Sequence, residues 1–171
     1  MNREQLRAVQ SPLKGQYRVT PESALITLRA TGSLGDDVTC RVETGRALVE
    51  AGLHPATGGT GLSVCSGDML LQALVACAGV TLSAVATSLG IPVRGETLTA
   101  DGDLDFRGTL DVVKEVPVGF KRIRLNIDLD TDATPSERQK LLELTERYCV
   151  VYQTLIRSPE MTVECHAKSG A

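Results

Sequence analysis

The most apolar stretch of the chain runs from Ser66 to Ile91 and carries one charged side chain, Asp68, with Cys77 near its middle. Its length would suffice to cross a bilayer, which takes about 20 apolar residues. Polar side chains interrupt it, however, and it lacks the flanking Lys or Arg cluster that the positive-inside rule expects. The interrupting residues are Gln72, Thr81, Ser83, Thr87 and Ser88. We therefore predict a core helix rather than a membrane span.

The ends of this helix are marked in the sequence. Ser66 is a good N-cap, Asp68 complements the dipole of the first turn, and Gly90 predicts an end at about Leu89. A helix that is apolar nearly all round is enclosed on most sides, but one sheet covers one face only. We expect a second copy of the chain to cover the rest. The prediction is a homodimer with this helix buried near its centre and an interface above about 2,000 Å².

Alternating apolar and polar positions before this helix predict two strands. The segments 24–32 and 38–44 alternate, the sequence SLGDD at 33–37 predicts a hairpin turn between them, and residues 45–53 are a candidate third strand. Residues 54–68 are dense in Gly, Ser and Thr, which predicts a loop that leads into the helix.

The second half of the chain predicts a hairpin, a helix and a last strand. Segments 96–106 and 120–129 alternate, and the residues between them are either a hairpin tip or an irregular loop. Residues 134–155 predict the second main helix, and 161–166 a short closing strand.

The second main helix has a clear start signal. Thr134 and Glu137 are spaced for a capping box, and Pro135 stands at the first helical position. Helical spacing then predicts an apolar stripe that faces the core. Its members are Leu141, Thr145, Tyr148 and Tyr152, with Leu142 and Cys149 beside them.

The order of elements predicts an α+β fold, in which two main helices pack on an antiparallel sheet. The chain has 171 residues, 42% hydrophobic and 23% charged, which suits one domain over residues 1–171. Within it, residues 1–20 are an N-terminal extension with a short helix over 2–9 that ends at Ser11 and Pro12.

Composition excludes several classes of partner. The net charge is -3, and there are five aromatic residues and no Trp, so neither nucleic acid nor an anionic membrane surface is expected to bind.

The polar N-terminus has no apolar segment typical of a secretory signal. Five cysteines at wide spacing do not suit a disulfide scaffold, so we expect a reduced, cytoplasmic protein. They are Cys40, Cys65, Cys77, Cys149 and Cys165.

No metal or cofactor site is predicted. His54, Cys65, Cys165 and His166 are not spaced as zinc ligands usually are. The TGGTG sequence at 57–61 is not followed by the Gly-Lys-Ser/Thr of a phosphate-binding loop.

Two cysteine contexts together resemble a known family. The segment SGDMLLQALVACAGVTL enters an Ala-rich helix with Cys77 in its middle, and LLELTERYCVVYQTL carries Cys149, 72 positions later. Both segments, and the order of elements between them, resemble the osmotically inducible protein C and organic hydroperoxide resistance (OsmC/Ohr) family. The similarity extends from about Ala24 to His166.

The resemblance implies a thiol peroxidase on an intertwined homodimer. Cys77 would be the cysteine that attacks the peroxide and becomes a sulfenic acid, and Cys149 would resolve it to a disulfide. A small dithiol or another thiol would then restore the enzyme. The alternative is a catalytically silent relative that binds a small apolar ligand in the dimer pocket.

The family also places a glutamate at the start of the cysteine helix and an arginine in the first hairpin. Gly67 and Asp68 occupy the glutamate's positions here, and the SLGDD turn holds no arginine. Because the apolar helical neighbours of Cys77 favour the neutral thiol, a peroxidatic Cys77 requires a nearby cation. Arg41 or Arg29, on the strands of that hairpin, is the expected one.

Overall fold

A computed structural model describes residues 2–20, 31–34, 39–44, 47–111 and 113–166. The elements, in chain order, are α1 (Arg3–Val19), β1 (Thr31–Leu34), β2 (Thr39–Thr44), β3 (Ala47–Gly52), a 3-10 turn (Pro55–Thr57), β4 (Val64–Cys65), α2 (Ser66–Leu89), β5 (Gly95–Asp103), α3 (Phe106–Thr109), β6 (Arg122–Asp130), α4 (Pro135–Tyr148) and α5 (Val150–Ile156).

The described strands form two sheets, not the one sheet that we predicted. The first has the order β1-β2-β3-β4; β1, β2 and β3 are antiparallel neighbours, and the two-residue β4 is parallel to β3. β2 confirms the predicted second strand, and β3 confirms the candidate third strand. Ser33 and Leu34 of the predicted turn belong to β1, while residues 21–30 and 35–38, which hold most of the first predicted strand and the rest of the turn, lie outside the described residues.

The second sheet is the predicted hairpin of β5 and β6. Its antiparallel register runs from Gly95 opposite Asp130 to Asp103 opposite Arg122. The connection between the strands is irregular apart from α3. One face of β6 packs towards the helices because the side chains alternate, as predicted. The residues on that face are Ile123, Leu125, Ile127 and Leu129.

Helix α2 forms the centre of the described core. It packs against β5, α4 and α5. It ends as predicted, with Gly90 in the left-handed region at φ +73°, where glycine carries no steric penalty. The predicted N-cap is wrong by one residue: Cys65 is the cap, it makes no side-chain capping bond, and Ser66 is the first helical residue. By length and apolar composition α2 could cross a membrane, and 28% of its most apolar window is buried within the chain.

Two groups of buried side chains lie along α2. The first joins its C-terminal half to α4 and to the segments after α2 and β6, and the second joins its N-terminal half to Cys149. Members of the first are Leu82, Val85, Ala86, Ile91, Ala133 and Leu141. Members of the second are Leu74, Ala78 and Cys149, with Cys77 packed against them.

The second main helix is not continuous, which corrects its predicted extent. Its start is as predicted, with the Thr134 and Glu137 capping box and Pro135 in the first turn. It breaks at Cys149, which is extended (φ -73°, ψ 108°) and separates α4 from α5. The turn at Cys149 leaves Tyr148 56% exposed, so Tyr148 is not a core residue as its helical spacing predicted.

Both ends of the described chain also differ from expectation. α1 continues through Pro12 to Val19 instead of ending there. It lies against α2, and tertiary contacts of this kind override local breaking signals. The closing strand predicted for 161–166 is not formed: these residues are exposed and irregular, because they have no strand partner among the described residues.

Candidate functional site

Cys77 lies in the middle of α2, half-buried, on the side that faces α5. Thr81 is one helical turn further along on the same face, and its hydroxyl lowers the pKa of the Cys77 thiol. The helix therefore presents a sulfur and a hydroxyl at the same place.

Cys149 forms the junction between α4 and α5 and is 1% exposed. Its backbone N–H donates to the carbonyl of Thr145 at 2.9 Å, which completes α4. Its Sγ accepts from the backbone N–H of Tyr152 at 3.5 Å, so the thiol caps the first turn of α5. The break in the helix thus fixes the direction of the Cys149 side chain.

The structure brings Cys77 and Cys149 together. Cys77 packs against the buried group that contains Cys149, and each thiol shifts the pKa of the other. Both are free cysteines in the structure. Two residues 72 positions apart in the chain are therefore neighbours in the core.

The pair is electrostatically asymmetric. Burial raises the pKa of the Cys77 thiol, but hydrogen bonds from the backbone N–H of Val151, from Cys149, from the N–H of Val150 and from Thr81 outweigh it, and the pKa lies below the ordinary value. Burial and the neighbouring Cys77 together hold the pKa of Cys149 above the ordinary value. Cys77 is therefore the member that forms a thiolate, and Cys149 keeps its proton.

Sequence reasoning missed the groups that stabilise the Cys77 thiolate. The spacing of Thr81 from Cys77 was a readable signal, since residues four apart share a helix face. The N–H groups of Val150 and Val151 have no sequence signal, because they become donors only through the break at Cys149.

The predicted cation is not tested by the structure. Arg29 lies outside the described residues, and for Arg41 only the backbone position in β2 is described. Asp68 is exposed and lines a cavity at the start of α2, together with His54 and Cys65.

Helix α4, the start of α5 and β6 enclose a second cavity, of about 310 Å³, beside the cysteine pair. Cys149 and Ala78 line its inner end, and Glu146 is the charged residue of its lining. The remaining lining residues are Ile123, Leu125, Ile127, Leu142, Thr145 and Tyr152. Cys77 is not among them, so the cavity reaches the pair from the Cys149 side.

The hydroxyl of Thr81 gives a direct test of how the Cys77 thiolate is stabilised. Iodoacetamide alkylation of Cys77, followed against pH, should show a midpoint below the ordinary thiol value, because the pKa of Cys77 is lowered. Thr81→Val removes one donor to the thiolate, so the midpoint should move upward, whereas Thr81→Ser should keep it. Thr87→Val is the control, because that hydroxyl donates to the Ser83 carbonyl in the last part of α2. A wild-type midpoint near or above 9 would contradict the assignment of Cys77 as the thiolate.

A family model described as OsmC-like protein matches residues 59–164, a segment that contains both cysteines. The chain belongs to the OsmC-like protein family. The predicted resemblance is thereby confirmed, and the OsmC-like fold with it. No curated protein matches the chain.

Solved structures show the same OsmC-like fold at low sequence identity. An OsmC-like protein from Mycoplasma pneumoniae is 16% identical, with a TM-score of 0.65 over 78% of this chain and 89% of that one. Organic hydroperoxide resistance proteins from Legionella pneumophila and Elizabethkingia anophelis are 20% and 21% identical, each with a TM-score of 0.61. Both cover 79% of this chain, and 92% and 91% of their own chains. At these identities the similarity shows that this chain has the same fold as those proteins. Its chemistry depends on the residues of its own site.

Proposed function

We propose that this OsmC-like protein is a thiol peroxidase that reduces organic hydroperoxides through Cys77 and Cys149. The observation that carries the proposal is the packing of Cys77, in the middle of α2, against the buried group that contains Cys149. The opposite pKa shifts of the two thiols support it. A peroxidatic thiol must be a thiolate at neutral pH, and a resolving thiol must wait beside it.

In the oxidative half-reaction, the Cys77 thiolate attacks the terminal oxygen of the hydroperoxide. The O–O bond breaks, Cys77 becomes a sulfenic acid, and the alcohol leaves after it takes up a proton. Hydrogen bonds from Val150, Val151 and Thr81 hold the sulfur in place during this attack.

Resolution follows within the same chain. Cys149 attacks the Cys77 sulfur, the S–O bond breaks, and the sulfenic oxygen leaves as water with the thiol proton. The product is a Cys77–Cys149 disulfide, and two thiol equivalents return it to the reduced state. The first step therefore uses the lowered pKa of Cys77, and the second uses the proton that Cys149 retains.

An organic hydroperoxide suits this site better than hydrogen peroxide. Aliphatic side chains surround the pair, among them Leu74, Leu98 and Leu125, and an apolar substituent gains free energy when it leaves water for such surroundings. The names of the Legionella and Elizabethkingia proteins, organic hydroperoxide resistance proteins, support the same substrate class. The thiol cycle also fits the reducing cytoplasm that the cysteine content predicts.

The test is the formation of the disulfide by a stoichiometric peroxide. One equivalent of cumene hydroperoxide, added to the reduced protein, should be consumed and should leave Cys77 and Cys149 joined, as peptide mapping by mass spectrometry would show. Hydrogen peroxide at the same concentration should react more slowly. No consumption above background would refute the enzyme and favour the alternative, a catalytically silent protein that binds a small apolar ligand.

We also propose that the protein is a homodimer. In its most apolar window, α2 has 28% of its residues buried within the chain, and Val80 on its surface is 73% exposed. Monomers rarely leave an apolar surface of this kind in water, and a second copy of α2 is chemically matched to it.

Sedimentation velocity at micromolar concentration should show a dimer of the 18.2 kDa chain. Val80→Glu, which places a charge on the exposed face of α2, should shift the distribution towards monomer. Val118→Glu is the matched control, because Val118 is 62% exposed in the irregular connection between β5 and β6. A folded wild-type monomer would defeat the prediction.

A further inference from the structure

The cavity of about 310 Å³ between β6, α4 and α5 reaches one member of the cysteine pair: Cys149 lines it, and Cys77 does not. The volume suits a small molecule. A disulfide between the two cysteines would therefore present its Cys149 sulfur to this cavity.

The chemistry of disulfide exchange favours attack on that same sulfur. An incoming thiolate attacks one sulfur along the line of the S–S bond, and the other sulfur leaves. The thiol with the lower pKa leaves faster. The N–H groups of Val150 and Val151 and the hydroxyl of Thr81 lower the pKa of Cys77, so Cys77 is the better leaving group.

We propose that the regenerating thiol enters through this cavity and attacks Sγ of Cys149. This inference rests on the proposed thiol cycle and adds the route and the point of attack. The incoming thiolate forms an S–S bond to Cys149, the Cys77–Cys149 bond breaks, and the electron pair leaves on Cys77 as its thiolate. A second thiol then attacks the mixed disulfide and releases the oxidised reductant, while Cys149 regains a proton.

The lining of the cavity also selects the class of thiol. Five of its nine lining residues are aliphatic, and Glu146 is the charged one. A carboxylate disfavours an anionic molecule and favours a neutral or cationic one. The reductant is therefore a small thiol that carries no negatively charged group besides the attacking thiolate.

The point of attack is tested on the wild-type protein. The disulfide is first formed with diamide, so that this test does not depend on reactivity towards peroxide. The oxidised protein is then mixed with 2-mercaptoethanol, quenched in acid within the first turnover, and mapped by mass spectrometry. A mixed disulfide on Cys149 is expected. A mixed disulfide on Cys77 would overturn the proposal.

The route is tested by filling the cavity. Leu142 is 37% exposed at its rim, so Leu142→Trp places a bulky ring in the entrance without disturbing the buried core. Reduction of the diamide-formed disulfide should slow by about tenfold or more, as expected when access to the reacting atom is obstructed. Leu89→Trp is the control: Leu89 is 39% exposed at the end of α2 and does not line this cavity. Equal rates in the two variants would overturn the route.

The charge selection is tested with thiols of similar size. Rates for cationic cysteamine and anionic thioglycolate are compared at equal thiolate concentration, in the wild type and in Glu146→Gln. The wild type should favour cysteamine, and Glu146→Gln should reduce that preference by about threefold at low salt. Glu143→Gln, one turn earlier on α4 and outside the lining, should leave the preference unchanged. A preference that Glu146→Gln does not alter would contradict the assigned class of thiol.

Discussion

Replacing Cys77 by serine should reduce the consumption of cumene hydroperoxide to background. The hydroxyl of serine is far less acidic than the thiol, so the hydrogen bonds that stabilise a thiolate at position 77 have no anion to stabilise. Turnover with a dithiol reductant, followed by stopped-flow absorbance, is the measurement. The effect should be complete because Cys77 is the cysteine that packs against the buried group containing Cys149 in the described core.

Cys149→Ser should stop the same reaction one step later. Cys77 would still react once with the peroxide, and its sulfenic acid would persist because no resolving thiol remains. A dimedone adduct on Cys77, detected by mass spectrometry, would identify this state. Cys165→Ser is the matched control, since Cys165 is exposed in the C-terminal segment and should leave turnover unchanged. Full turnover in Cys77→Ser would eliminate the proposed mechanism.

Leu141→Ala should lower the free energy of unfolding by about 3 kcal/mol. Leu141 is 0% exposed and joins α4 to α2 through Leu82 and the side chains around it. Its truncation removes buried methyl groups and leaves a cavity that the two helices cannot close by a small shift. Urea unfolding followed by circular dichroism gives the change, from the shift of the midpoint at constant slope.

Leu142→Ala is the control for this prediction. Leu142 is the next residue on α4 but is 37% exposed, so its truncation should lower the free energy of unfolding by less than about 1 kcal/mol. Equal losses in the two variants would mean that the group around Leu82 and Leu141 does not carry the stability of the described core.

Local signals predicted most of the regular elements. Gly90 ends α2, Thr134 and Glu137 start α4, and alternation gives β5 and β6. Each depends on neighbours within a few residues: a left-handed cap, a reciprocal capping bond or the two-residue repeat of a strand. The family resemblance added the cysteine pair, which no local pattern could connect.

The wrong secondary-structure predictions have a common cause. They concern segments whose structure depends on contacts between residues that are far apart in the sequence. Pro12 does not end α1, which lies against α2, and residues 161–166 alternate in sequence but have no described strand beside them. A β-strand forms only when a neighbouring strand hydrogen-bonds its backbone N–H and C=O groups. Alternation of apolar and polar residues within a segment does not show whether such a neighbouring strand is present.

The sequence by itself determined an aliphatic α+β chain with one apolar central helix, and it placed Cys77 in the middle of that helix. Only the tertiary structure decided which of Cys77 and Cys149 would ionise. The break at Cys149 turns the N–H groups of Val150 and Val151 towards Cys77, and burial keeps the proton on Cys149. Thiol ionisation depends on the donors and the solvent around each sulfur, and the folded backbone supplies both.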